Sequence, residues 1–179
     1  MLARYGGFMS FGQAISTCFR KYATFSGRAR RSEYWYFYLF SILAGFAAGI
    51  LDAVFVGATG MGETFRTTSG PFAAIVNLAL LLPSLAVTVR RMHDTGRSGW
   101  LILGFIGYIV VGVVAFIAVA GASMSGSEPN GAAIAVGAVL ALGGLAYAIF
   151  LFVLMVLNGH HGDNKYGPDP KGPNVEVFN

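Results

Sequence analysis

The sequence predicts an all-α integral membrane protein, a four-transmembrane-helix bundle preceded by an N-terminal amphipathic interfacial helix. Three observations predict it. Of 179 residues, 55% are hydrophobic and only 11% charged, about half the charge with which a soluble domain wets its surface. Four stretches stay apolar over the roughly 20 residues that carry a helix across ~30 Å of hydrocarbon. The basic residues fall almost wholly on one side of those stretches.

Residues 1–34 read as a cytoplasmic segment, amphipathic and basic. Phe8, Phe11, Ile15, Cys18, Phe19, Tyr22 and Phe25 recur at helical spacing, with Gln13, Ser16, Thr17, Arg20, Lys21 and Thr24 mostly opposite. Such a helix suits the surface of the inner leaflet, its basic face toward anionic lipid; a small cap packed on the cytoplasmic loops is the competing arrangement. Cys18, the single cysteine, excludes an internal disulfide and a Cys-based zinc site and is expected to act as apolar packing. The first thirty residues lack an apolar core followed by a small-residue cleavage site, so the first hydrophobic helix is expected to stay with the chain.

The spanning domain covers 35–157, with spans at about Trp35–Val56, Phe72–Val89, Trp100–Ala120 and Ala132–Leu157. Pro83 removes a backbone donor from the second and predicts a kink. Gly137, Gly143 and Gly144 predict a tilt or bend in the long fourth span. Two small-residue rows, Gly45–Gly49–Ala53 and Ala133–Gly137–Ala141, permit close helix approach, either to each other or to a partner. Residues 158–179 form a Gly/Pro-rich cytoplasmic tail without regular structure. Its first part could instead fold back over the arginine-rich loops, with Asp163 and Asp169 finding partners there.

Charge gives the direction. Of twelve Lys and Arg, six precede the first span (Arg4, Arg20, Lys21, Arg28, Arg30, Arg31). Three lie between the second and third (Arg90, Arg91, Arg97), and two follow the fourth (Lys165, Lys171). Only Arg66 falls in the other two loops. The positive-inside rule places both termini in the cytoplasm. The segment VRRMHDTGRSGW (89–100) is then a re-entry signal: Arg90 and Arg91 end one helix, Ser98 caps the next, and Trp100 settles at headgroup depth.

Three motifs, FSGRARRSEYWYF (25–37), LLPSLAVTVRRMHDTGRSGW (81–100) and GDNKYGPDP (162–170), make the chain resemble the domain of unknown function 805 family of small bacterial inner-membrane proteins. The resemblance implies an integral protein of the bacterial inner membrane and supplies no activity.

On the cytoplasmic face, Arg28, Arg30, Arg31, Arg90, Arg91 and Arg97 crowd together with Glu33 and Asp94. They read as topology determinants with interloop salt bridges, for example Glu33 to Arg90 or Arg91. The sharper alternative is a pocket for the phosphate of an anionic phospholipid. Asp52, the only acidic residue inside a span, lies ~25 Å beyond Trp35 by helical rise. It is expected to point into the bundle and bond to Asn77 or a neighbouring backbone group; intramembrane carboxylates are often functional. His93, His160 and His161 match no metal-ligand spacing, so no metal and no cofactor are expected. No nucleophile elbow or P-loop is present, and the aromatics belong at the bilayer interface rather than on nucleic acid.

The sequence therefore reads as a non-enzymatic structural or accessory subunit, binding anionic lipid or a larger membrane complex, possible homo-oligomers included, through its basic face. A small-solute or ion pathway using Asp52 and Asn77 is the alternative.

Overall fold

A computed structural model of the chain describes residues 9–56, 70–124 and 131–171. Arg4, Phe8, Arg66 and the end of the tail lie outside the described residues. Every regular element among them is helical apart from one isolated β-bridge, and four helices are long and apolar enough to cross a membrane. The helices are α1 (Phe11–Arg20), α2 (Arg31–Leu51), α3 (Pro71–Asp94), α4 (Trp100–Met124) and α5 (Gly131–Val156). α2 continues into a π-helical turn, Asp52–Val56. The chain divides into two compact units, one holding α1–α3 and the tail, the other Arg97–Leu157.

In the first unit, α1 starts at a capping box. The Ser10 side chain accepts from the Gln13 amide, and the Gln13 side chain accepts from Ser10 N–H, so two orphan donors are satisfied reciprocally. The helix runs ten residues and stops at Lys21, shorter than the periodicity of residues 8–25 suggests. It buries only its small residues, Ala14 and Cys18, and leaves Phe11 and Phe19 more than a third exposed, as are Tyr22 and Phe25 beyond its end. Phe11 meets Tyr36 edge-on, and Phe19 meets Phe37 and Phe40. This helix packs against α2 and α3.

Pro83 sits inside α3 and has no N–H for the carbonyl four residues earlier. That carbonyl belongs to Ala79, and Tyr22 Oη donates to it at 2.5 Å. A residue just past α1 thus supplies the hydrogen bond that proline removes from a span.

At the far end of α2, Asp52 Oδ1 and Oδ2 accept from the Phe72 and Ala73 amides at 2.9 and 2.8 Å. The carboxylate caps α3, where anions are favoured. Gly70 lies so close to it that any side chain there would strike the carboxyl group. Asp52 therefore bonds to backbone, and Asn77 is exposed on α3.

The second unit is an antiparallel helix pair closed by tyrosines. Tyr108 Oη donates to the Leu140 carbonyl at 2.6 Å, and Tyr147 Oη to the Leu101 carbonyl at 2.8 Å. Gly143 and Gly144 leave room for the Tyr108 ring, so these two glycines serve close approach. Gly45, Gly49 and Gly137 have open space where a side chain would stand. Ser98 Oγ accepts from the Trp100 amide at 3.3 Å, as a cap should.

Tyr22→Phe is expected to cost about 1 kcal/mol, the usual worth of one hydrogen bond, and to lower the melting midpoint in detergent by a few degrees. In a Pro83→Ala background the residue 83 amide can satisfy Ala79, so the same change should then cost nearly nothing. A double-mutant cycle measures the difference.

Candidate functional site

The polar side chains concentrate at one end of the first unit, where residues 25–33, the last turn of α3 and the tail meet. α3 does not stop at Val89. It runs on to Asp94, so Arg90 and Arg91 stand inside the helix, not in a loop. A buried charge is tolerated only when paired and hydrogen-bonded, and both are paired.

Arg90 is fully buried, its Nη1 2.9 Å from Glu33 Oε1. Its Nε donates to the Ala86 carbonyl at 3.3 Å, and its own carbonyl accepts from the Ala29 amide at 3.0 Å. Neither terminal nitrogen makes an aligned hydrogen bond. Glu33 Oε1 also accepts from Cys18 Sγ at 3.9 Å. Burial, reinforced by the Glu33 charge, pushes the Cys18 thiol up to about 12. Cys18 is therefore a protonated, unreactive donor.

Asp94 is shared. Arg28 Nε donates to its Oδ1 at 3.0 Å and Arg91 Nη1 to its Oδ2. All three side chains are at most 3% exposed. Arg28 then turns to the tail: Nη1 donates to the carbonyl of Gly162 at 2.6 Å and, weakly, to that of Gly167 at 3.5 Å, and Nη2 to that of His160. Arg30 Nε donates to the Pro170 carbonyl. The Asp94 carbonyl accepts from the His160 amide at 2.7 Å. Gly159 presses on the Asp94 carboxylate with no space for a side chain.

The tail is ordered over 158–171 as a strap. Asn164 and Gly167 exchange backbone hydrogen bonds at 3.1 and 3.0 Å, and Gly162 and Gly167 adopt positive φ, which favours glycine. Asp169 accepts from the Gly162 and Lys171 amides, and Asp163 from the Asp169 amide. Burial alone would raise the Asp169 carboxyl, but these amides and the nearby Arg28 charge outweigh it and hold it below the usual range. The two aspartates thus shape the strap itself, while the arginines take its neutral carbonyls. Tyr166 stacks on His93 with ring centroids 3.9 Å apart and 3° between planes. Asn164 Nδ2 donates to the His93 carbonyl at 2.9 Å, and His93 Nδ1 lies 3.2 Å from the Gly27 carbonyl.

The five arginines of the first unit therefore do not form one open cationic pocket. Arg28, Arg90 and Arg91 are buried and committed to Glu33 and Asp94, Arg30 and Arg31 are half-buried, and Arg97 is exposed. A headgroup cannot reach the buried three while the strap and helices stand. Asp52 and Asn77 share no contact at this end. Among the described residues, no three His, Cys, Asp or Glu side chains converge as a metal site. Sequence reasoning missed Asn164 and Tyr166, whose only signal was membership of the GDNKYGPDP motif.

The fold and this charged knot define a polytopic α-helical membrane protein whose sequence motifs are spent on holding its polar end together. The chain belongs to the protein family of unknown function DUF805, whose profile matches residues 22–168. It is similar to two Escherichia coli K12 proteins, inner membrane protein YhaH (38% identical over 96 residues, 51% of this chain and 74% of the relative) and inner membrane protein YhaI (37% over 92 residues, 50% and 69%). No solved structure matches.

Asp94→Asn leaves two buried guanidinium charges without their carboxylate, which typically costs 3–5 kcal/mol. Loss of the folded species in size-exclusion chromatography, or amide exchange spreading through 158–171, would report it. Retention of parental stability would contradict the shared-carboxylate account.

Proposed function

We propose that this is a non-enzymatic accessory protein of the bacterial inner membrane, with both termini cytoplasmic. In this reading it serves lipid organisation or a larger membrane complex through a basic cytoplasmic face. The observation that carries the reading is how the charged residues are used. Glu33, Arg90, Arg91, Asp94 and Arg28 close on one another and on the strap, which makes them scaffold. Arg20, Lys21, Arg97, Lys165 and Lys171 are exposed and are the cations that anionic lipid would meet. Each near-surface cation contributes ~1 kcal/mol toward such a leaflet, so attraction arises without a dedicated pocket. The names of the relatives, both inner membrane proteins, support the location. The ion-pathway alternative is weakened by Asp52, whose two oxygens are both engaged by the α3 amides.

Arg20→Glu, Lys21→Glu and Arg97→Glu together should reduce phosphatidylglycerol enrichment around the protein at least tenfold in mixed-lipid nanodiscs at low salt. Molar salt shortens the screening length to ~3 Å and should erase the difference. Enrichment unaffected by these changes removes the lipid-facing role. A reporter fused after Asn179 should read cytoplasmic, and a periplasmic signal would reverse the proposed orientation.

A further inference from the structure

Polar side chains inside the spans are mostly matched within the chain. Ser41 donates to the Phe37 carbonyl, Thr88 to that of Ser84, Tyr108 to that of Leu140 and Tyr147 to that of Leu101. Asn77 is different. Its side chain is exposed on α3 and finds no hydrogen-bond partner among the described residues. It lies about 9 Å along the helix from Pro71 and about 18 Å from Val89, inside the ~30 Å hydrocarbon layer rather than at either surface. Lipid chains offer no donor or acceptor, so a bare carboxamide at that depth is costly. Nor does Asn77 stand alone on its face. Ala74, Asn77, Leu81, Ser84 and Thr88 follow one another at steps of three, four, three and four, the spacing that keeps a seam turned toward a partner helix. Ala74, Asn77 and Leu81 are exposed, and Ser84 and Thr88 half-buried. The seam is open.

We infer that α3 pairs along this seam with α3 of a second copy of the chain, the two Asn77 carboxamides bonded to each other across a two-fold axis. The chemistry of the seam selects a second copy. A carboxamide carries both donors and an acceptor, so it is complementary to itself. Two copies inserted in the same direction bring their Asn77 side chains to one depth without adjustment; an unrelated helix would need a polar group placed at that level. Ser84, one heptad further on, brings a hydroxyl to the same line, again able to donate to its twin. Ala74 lets the backbones approach, and Leu81, half exposed, fills the space between the polar positions. A single asparagine in such a seam fixes register and the number of strands. One patch meeting itself across a two-fold axis is a closed arrangement, so assembly stops at a dimer. The inference needs α3 to cross the bilayer and uses no part of the lipid-facing reading.

The test uses the full chain in phosphatidylcholine vesicles, which hold no anionic lipid, so the lipid-facing role does not enter. Copies labelled after Asn179 with donor or acceptor fluorophores report pairing by Förster transfer, followed as the protein is diluted in lipid. The parent should pair. Asn77→Leu should weaken pairing about tenfold, and Asn77→Gln, which keeps the carboxamide, should restore most of it. The melting midpoint at high dilution should be the same for all three, because the position is exposed in the single chain. In a second arm, Leu81→Cys should form an intermolecular disulfide under mild oxidation. Ile75→Cys, exposed on the far side of α3, should not, and the native Cys18 is buried. Absence of transfer in the parent, which would leave the seam to a different membrane protein, overturns the inference. So does transfer that Asn77→Leu leaves unchanged, or equal cross-linking at positions 75 and 81. A lowered midpoint for dilute Asn77→Leu would place the carboxamide against a helix of its own chain, and that result overturns it as well.

Discussion

Everything at the polar end depends on one buried carboxylate. Asp94 takes Arg28 from the segment before α2 and Arg91 from its own helix, and its carbonyl takes the His160 amide. Three pieces of chain, far apart in sequence, are joined at a single residue. Removing charges from water is expensive, and the expense is offset only when every partner is present. The arrangement is therefore cooperative. The Glu33–Arg90 pair repeats the logic one residue earlier on α3 and ties α2 into the same assembly.

The spans were legible because hydrophobic length and cation asymmetry are one-dimensional signals, and both are strong here. The ends of the spans were less so. Val89 looked like a terminus because Arg90 and Arg91 follow it, and charge normally stops a membrane helix. Pairing with Glu33 and Asp94 lets α3 continue to Asp94, and pairing is a tertiary fact. The salt bridge of Glu33 with Arg90 could be named from sequence as one option; that Arg28 would spend its terminal nitrogens on peptide carbonyls could not. A carbonyl exists at every residue and leaves no mark in the sequence. Asp163 and Asp169 illustrate the same gap, since as acids near arginines they suggested ion pairs and instead organise their own loop.

Tyr22 sits between these cases. The orphan carbonyl at Ala79 follows from Pro83 by counting four residues back. The donor, 57 residues earlier, follows from nothing local. Its hydrogen bond ties the segment just after α1 to the second span.

The cap that Asp52 places on α3 has a consequence for the bilayer itself. α3 is anchored at its first turn by that carboxylate and at its last residue by Arg28 on Asp94, about 32 Å apart at 1.5 Å per residue. A rod bolted at both ends has no slack, so a thicker or thinner membrane has to stretch or compress its own lipid around it.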